Sequence, residues 1–210
     1  DAVDIDGYPS DIYWINENDQ PKVPVEVAST GPRVIRLAAQ HAERITFAMG
    51  ADAVRLKRGV KDAQIAAEEI GRDPKELSFG AYINIACDDN AKRGCDIVRG
   101  SVGTFAHFSG MSVAAHAGLQ DAPVFQHIGE NYDMANHASG KAAHMTSVPD
   151  EFVSRFAVVG NPSYCVDRLG ELRDQGLDRL VLLMGSRDSI EEDRTASVER
   201  ISDEVISQLR

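Results

Sequence analysis

Short apolar segments alternate with amphipathic helical patterns along most of this chain. Such segments, rich in β-branched residues and bounded by Gly, Pro, Asn or Asp, are typical of strands. The predicted strands cover residues 23–28, 44–49, 77–86, 156–159 and 177–184. Their nearly continuous apolar character favours burial on both faces, as in a parallel sheet with helices between successive strands. The alternation therefore predicts an α/β fold.

Residues that commonly begin helices follow the predicted strands. Pro32 can hold the first helical position after a cap at Thr30 or Gly31, and Asp52 is the predicted cap of a long helix. Another helix is predicted from Asn90, and a last one over residues 190–209. Glycine is a poor helix former, so three glycines leave the length of the helix from Asn90 open. They are Gly94, Gly100 and Gly103.

The chain divides into four segments, which we assign to one domain. Residues 1–22 are predicted to be an irregular lead-in arm, and residues 23–108 to hold the first βα units. Residues 109–155 are rich in glycine, aromatic residues and histidine, and are too long for an ordinary loop, which predicts a helical insertion or lid. Residues 156–210 are predicted to complete the same domain with the final βα units.

The charge balance excludes several classes of partner. The chain of 210 residues has 22 basic and 33 acidic residues, a net charge of −11. Nucleic acids and anionic membranes attract clustered Lys and Arg, so neither is an expected partner. No apolar run approaches 18 residues, and no signal peptide is recognised at the start. Because the chain does not begin with Met, we expect either processing or a piece of a longer protein.

The cysteines favour a reducing compartment, so the expected location is cytoplasmic. Cys87, Cys95 and Cys165 are odd in number and form no Cys-x-x-Cys pair. We therefore expect free thiols and no structural zinc site.

The turn after the first predicted strand is the best candidate binding site. Ser29, Thr30 and Gly31 lie between a strand and the helix that begins at Pro32. The first amides of a helix have no partner within the helix and attract anions, and glycine lets a phosphate approach the backbone. An ordinary capped helix start explains the same residues, and the turn has neither a dinucleotide-binding glycine pattern nor a Walker lysine.

Catalytic residues cannot be assigned from the sequence, and no metal site is predicted. The spacing of the histidines between His107 and His144 matches no metal-binding motif. His107, His116 and His127 are candidates for a proton donor by location only. No nucleophile elbow supports a serine hydrolase. Glu26 is unusual as a charge within an apolar strand, which indicates either a strand that faces a pocket or an edge strand.

Two regions resemble the luciferase-like flavin and deazaflavin oxidoreductases. Residues 23–33 read Val-Pro-Val-Glu-Val-Ala-Ser-Thr-Gly-Pro-Arg, similar to the Pro-(Ile/Val)-x-Val-Ala-Ala-(Ser/Thr)-Gly-Pro segment of that family. Residues 159–162 are similar to the Gly-(Thr/Ser/Asp)-Pro start of the family's last helix, and residues 176–181 to its final strand. The resemblance covers residues 23–209 except the insertion, and the Ser-Thr-Gly-Pro form is closer to the deazaflavin branch.

The resemblance implies a deazaflavin coenzyme or FMN as the cofactor. Its phosphate would be held by Ser29, Thr30 and Gly31, with Pro32 fixing the start of the helix and Gly50 and Ala51 forming a neighbouring wall. The implied activity is hydride transfer or monooxygenation on a small organic substrate. A non-catalytic half-barrel or scaffold subunit, and a sugar-phosphate isomerase or aldolase barrel, are the alternatives.

The family fold is a (β/α)₈ barrel, which requires about 250 residues or more. The matching strands are those of its second half, with the helical insertion before the last unit. A half-barrel has open strand edges and an uncovered apolar face. We therefore expect it to pair with a copy of itself or with a missing N-terminal half.

Overall fold

The computed structural model describes residues 3–10, 21–110 and 121–209. Seven strands are described: β1 (Val3–Ile5), β2 (Tyr8–Ser10), β3 (Glu26–Ser29), β4 (Arg44–Phe47), β5 (Ser78–Cys87), β6 (Val158–Gly160) and β7 (Arg179–Leu183). The described α-helices are α1 (Pro32–His41), α2 (Ala53–Glu68), α3 (Ala91–Gly110), α4 (Ala122–Asn131), α5 (Ala143–Thr146), α6 (Asp150–Phe156), α7 (Pro162–Arg173) and α8 (Glu191–Arg200). The predicted α/β class with a parallel sheet is confirmed.

Strand β5 is the centre of the parallel sheet. Its residues 78–81 pair with β4, its residues 80–84 pair with β7, and its residues 85–87 pair with β6. Strand β4 also pairs with β3, in parallel. Among the described strands, β3 pairs with β4 alone, and β6 and β7 each pair with β5 alone. Strands β3 and β7, together with the three-residue strand β6, therefore have one side without a partner strand among the described residues.

One face of the sheet is covered by helices. Alternate side chains of a strand point to opposite faces, and the odd-numbered residues of β5 from Phe79 to Cys87 belong to one buried cluster. Ile35 of α1, Leu56 of α2 and Leu169 of α7 pack in the same cluster. The even-numbered residues of β5 therefore face the other way, and we call that side of the sheet the inner face.

The predicted insertion contains helices α4, α5 and α6 within its described part. Phe125 of α4 meets Phe152 and Phe156 of α6 at ring-centroid distances of 5.4 and 6.0 Å. Together with Met145 of α5 they form a second buried cluster, which also includes residues of α3 and Ala86. The insertion is thus packed on α3 and the end of β5 rather than joined to the sheet by a loop alone.

Helix α3 runs without interruption from Ala91 to Gly110, so its glycines do not divide it. They serve close packing instead. A Cβ atom on Gly100 would lie against the Ala138 carbonyl group and 2.6 Å from the Gly140 nitrogen, and one on Gly103 would meet the Met145 sulfur. Since backbone atoms cannot move aside as a flexible side chain can, Gly100 sets how closely α3 approaches the insertion.

Two other expectations are corrected in part. The arm predicted to be irregular holds an antiparallel hairpin, β1 with β2, whose turn residues Asp6 and Gly7 have φ angles of 53° and 81°. Asp-Gly is a preferred pair for such a two-residue turn. The last helix ends at Arg200, and a π-helical segment (Ile201–Val205) and a 3₁₀ turn (Ile206–Gln208) follow. Ile201 and Val205 are both buried in the helix-facing cluster, which the wider turn accommodates.

We predict that Gly100→Ala lowers the free energy of unfolding by about 1–3 kcal/mol, because the added methyl group overpacks a site bounded by backbone atoms. Gly170→Ala in α7 is the matched control, since nothing lies within 4 Å of its added Cβ. The control is expected to raise stability by about 0.5–1 kcal/mol through its helix propensity. Urea unfolding of both variants checks this, and equal effects in the two would contradict it.

Candidate functional site

The carboxyl ends of the parallel strands bring the predicted turn next to its neighbour. Strand β3 ends at Ser29 and β4 at Phe47, and the Ala48 amide donates to the Ser29 carbonyl oxygen over 2.9 Å. In α/β sheets, ligands bind at this edge, where loops and helix N-termini converge. The turn at residues 29–32 and the turn at residues 48–52 are therefore adjacent parts of one edge.

The turn at residues 29–32 has the features of an anion site. Gly31 is the cap residue of α1, with no side-chain hydrogen bond to the helix amides, and the first turn of α1 has no acidic residue. A Cβ on Gly31 would meet nothing within 4 Å, so the approach to the backbone is open. The first backbone N–H groups of α1 are therefore not capped by the side chain of the cap residue, and they lie where the approach from outside is open.

Ser29 is fully buried, and its hydroxyl group has no partner among the described residues. In the sheet, Ser29 of β3 is paired with Phe47 of β4, which is paired with Ala81 of β5. Its side chain therefore points to the helix-facing side of the sheet, where α1 packs. A buried hydroxyl without a partner costs free energy unless a ligand or water completes it. An orphaned hydroxyl beside an uncapped helix start is chemically compatible with a phosphate group, and the cofactor role of Ser29–Pro32 stays a prediction.

Gly50 and Ala51, the two predicted wall residues, lie in close contact with α6 and α7. Gly50 has a φ of 79°, and a Cβ there would lie 2.8 Å from the ring of Phe156. Ala51 is fully buried, donates its amide to the Phe156 carbonyl oxygen over 2.7 Å and accepts a hydrogen bond from Arg168. These contacts attach the turn to α6 and α7, and a role in the cofactor wall stays a prediction.

Glu26 takes part in a polar network on the inner face. Thr46 donates to the Glu26 carboxylate, and Arg179 of β7 lies 3.2 Å from it and 3.0 Å from the Thr46 hydroxyl. The Thr46 hydrogen bond, with help from Arg179, holds the pKa of Glu26 below its ordinary value. Glu26 lies on an edge strand, as one interpretation expects, and its side chain joins the inner-face network, while a pocket on that face stays a prediction.

Asn84 is a candidate that sequence reasoning missed. It lies on the inner face of β5, is fully buried, and has no partner for its amide oxygen or nitrogen among the described residues. The available signal was a single polar side chain within the apolar run of residues 81–87. A buried amide with both groups unsatisfied is a strong indication that a ligand or water completes it.

Three histidines surround Tyr132 in the insertion. The His107 ring stacks on the Tyr132 ring with centroids 3.8 Å apart, and the His144 ring lies 4.5 Å away. The Tyr132 hydroxyl and His137 Nδ1 are 2.8 Å apart. His127 instead contacts the Ser147 hydroxyl at 2.8 Å. His116 lies outside the described residues, so of the three proton-donor candidates only His107 belongs to the described cluster.

Burial makes the cluster favour neutral imidazoles. Desolvation lowers the pKa of both His107 and His144, and the charge of His137 lowers each further. Asp133 opposes the shift of His144, while His107 and His127 add to it. The folded protein therefore disfavours protonation of His107 and of His144.

Other site classes find little support in the described residues. Across residues 3–10, 21–110 and 121–209, no three His, Cys, Asp or Glu side chains converge as metal ligands. None of the described helices has the length and apolar character of a membrane span. Cys87, Cys95 and Cys165 are free and buried.

Comparisons with known proteins identify relatives. The model of the family described as luciferase-like monooxygenase matches residues 2–179. A 5,10-methylenetetrahydromethanopterin reductase of Methanolobus tindarius is 25% identical over 76% of this chain and 47% of the relative.

Two solved structures share the fold. The coenzyme F420-dependent tetrahydromethanopterin reductase of Methanopyrus kandleri has a TM-score of 0.63 at 19% identity, over 90% of this chain and 51% of that one. An F420-dependent secondary alcohol dehydrogenase has a TM-score of 0.64 at 15% identity, over 100% of this chain and 56% of that one. The chain thus spans about half the length of the relatives it matches.

We predict that stability declines as the pH falls below about 6.5, the ordinary histidine pKa. His107 and His144 have lowered pKa values in the folded protein, so the unfolded chain binds more protons in this range. Their contribution is complete above the ordinary pKa and is lost as the pH falls towards the lowered values. Urea unfolding between about pH 7.5 and 5.5 measures the slope, which His144→Gln should reduce.

His41→Gln is the control for this measurement, because His41 is an exposed residue in the last turn of α1. A smaller slope in His144→Gln than in His41→Gln supports the assignment. Equal slopes in the two variants would contradict it.

Proposed function

The chain belongs to the luciferase-like monooxygenase family, and from this we propose that it binds a deazaflavin coenzyme or FMN and takes part in hydride transfer or monooxygenation on a small organic substrate. One structural observation supports this most. The buried hydroxyl of Ser29 lacks a partner beside the uncapped start of α1, where a cofactor phosphate fits. The family match favours this function over a scaffold subunit or a sugar-phosphate isomerase or aldolase.

A deazaflavin is the cofactor we favour. The Ser-Thr-Gly-Pro form of the turn is closer to the deazaflavin branch of the family. The similar solved structures include a reductase and an alcohol dehydrogenase that are both named as dependent on coenzyme F420, a deazaflavin. FMN remains the alternative because the family is also that of the luciferase-like monooxygenases.

We assign distinct tasks to the residues of the site. The hydroxyl groups of Ser29 and Thr30 and the backbone amides at Thr30 and Gly31 bind the phosphate, while Pro32, which lacks an N–H, fixes the start of α1. Asn84 offers a buried donor and acceptor to a polar group on the inner face. When bound, the coenzyme supplies the hydride or oxygen chemistry, and the protein positions it against the substrate.

We also propose that this chain pairs with a second half-barrel. The outer edges of β3 and β7 have no partner strand among the described residues. Unpaired edges bind further strands readily, and the similar structures are about twice as long as this chain. The partner is a second copy of this chain or an N-terminal half of the barrel. The free thiols support a cytoplasmic, reducing location.

We predict that Gly31→Val weakens cofactor binding about 10- to 150-fold, because its side chain fills the space of the phosphate and removes a charge-assisted hydrogen bond. Gly170→Val, with an equally open Cβ position in α7, is the control and should leave affinity unchanged. Fluorescence titration of the paired protein with coenzyme F420 and with FMN measures both. An unchanged dissociation constant in folded Gly31→Val would contradict the phosphate site and leave the turn as an ordinary start of α1.

The pairing itself predicts a species larger than one chain of 210 residues in sedimentation velocity, alone or after addition of the N-terminal half. A well-folded, strictly monomeric species under both conditions would contradict it.

A further inference from the structure

A cavity of 260 Å³ opens beside the turn at residues 48–52, between α2, α4, α6 and α7. Three arginines line it, one from each of three helices: Arg55 of α2, Arg155 of α6 and Arg168 of α7. Asp52 and Asp121 also line it, and Phe125 forms part of its apolar wall. Three guanidinium groups on one small cavity are unusual in a chain with a net charge of −11.

Arg155 and Arg168 each have a carboxylate partner. Arg155 Nε lies 3.3 Å from an Asp121 oxygen, and its Nη2 donates to the same carboxylate. Arg168 pairs with Glu171 through Nη1 and donates to the Ala51 carbonyl through Nη2. Each of these positive charges is therefore matched by one negative charge.

Arg55 has no such partner among the described residues. Its Nη1 donates to the Met49 carbonyl oxygen over 2.9 Å, and its guanidinium lies 5.4 Å from the centre of the Phe125 ring. Burial lowers the pKa of Arg55, and the charge of Asp52 only partly opposes this. The described contacts leave a partly buried cation that is short of compensating negative charge.

The charge of Asp52 supplies part of that compensation, but among the described residues no ion pair or hydrogen bond joins its carboxylate to the Arg55 guanidinium. Its Oδ1 accepts from the amides of Val54 and Arg55 over 2.9 and 3.1 Å, and thereby caps α2. A cation that is removed from water without a counter-charge is costly. A bound anion would supply the missing charge, and guanidinium groups suit oxyanions because they can donate two parallel hydrogen bonds.

We propose that this cavity, which we call the arginine pocket, binds an oxyanion group, a phosphate or carboxylate, with Arg55 as its main partner and Arg155 and Arg168 on its sides. The pocket is attached to the edge that holds the candidate cofactor site, since Arg55 bonds to Met49 and Arg168 to Ala51. Binding of an anion is argued from the residues of the pocket alone. Its assignment to a substrate or to a second acidic group of the coenzyme rests on the proposed function.

The first test uses inorganic phosphate as the probe at low ionic strength. In the full chain labelled with ¹⁵N, the Nε–Hε signals of Arg55, Arg155 and Arg168 should shift with added phosphate, more than at equal ionic strength in sodium chloride. Arg55→Met, which keeps the apolar stem over Phe125, should weaken this binding at least about tenfold. Arg58→Met is the matched control, because Arg58 lies on the same helix and its side chain is largely exposed.

The Gly31→Val variant separates this pocket from the candidate phosphate turn. It should abolish phosphate binding at that turn and leave the arginine shifts unchanged. Arginine signals that do not move with phosphate, or equal phosphate affinities in folded Arg55→Met and Arg58→Met, would overturn the proposal. If Arg55→Met does not fold, the arginine shifts of the unaltered protein decide alone.

Cofactor and substrate titrations then identify the source of the anion. A loss of coenzyme affinity in Arg55→Met assigns the pocket to the coenzyme. Normal coenzyme affinity with a raised KM for an acidic substrate assigns it to the substrate. Failure of every form to bind F420 or FMN would overturn the proposed function and leave the phosphate result standing.

Discussion

The backbone hydrogen bonds of β5 hold this structure together, because three other strands pair along its ten residues. Side chains on both faces of β5 are buried or half-buried, which its mostly apolar sequence permits. Its odd-numbered residues fix where α1, α2 and α7 pack, and its carboxyl end connects to β6 and α3. The position of Asn84 follows from the same constraint. A polar residue at an even-numbered position of this strand lies on the inner face, away from the helices.

Local signals were sufficient to predict much of the fold. One or two residues are enough to predict the start of α1 at Pro32 and the start of α2 after Asp52, and Asp52 caps α2 as expected. The Asp6-Gly7 hairpin was predictable in principle, since its turn chemistry is local, but its flanking segments are short. The continuity of α3 was not predictable, because propensity disfavours its glycines. Only the approach of Ala138, nearly forty positions later, shows why Gly100 is needed.

The candidate site shows the same division. The turn at Ser29–Pro32 was found because a strand, a small polar turn and a proline are adjacent in sequence. The partners of Gly50 and Ala51 lie on α6 and α7, more than a hundred residues away, so the sequence could suggest a wall but not what covers it. The histidines around Tyr132 come from separate segments of the insertion and its neighbouring helix. No spacing rule connects residues that tertiary packing alone brings together.

Net charge and local charge lead to different conclusions in this protein. The overall value of −11 disfavours extended anionic partners, which would meet repulsion across the whole surface. A small anion experiences mainly the groups next to it, because salt screens exposed charges beyond about 8–10 Å. An uncapped helix start and an arginine pocket can therefore attract a phosphate or carboxylate on an otherwise acidic molecule. Such an arrangement favours small acidic ligands over polyanions, which agrees with the small organic substrate that we propose.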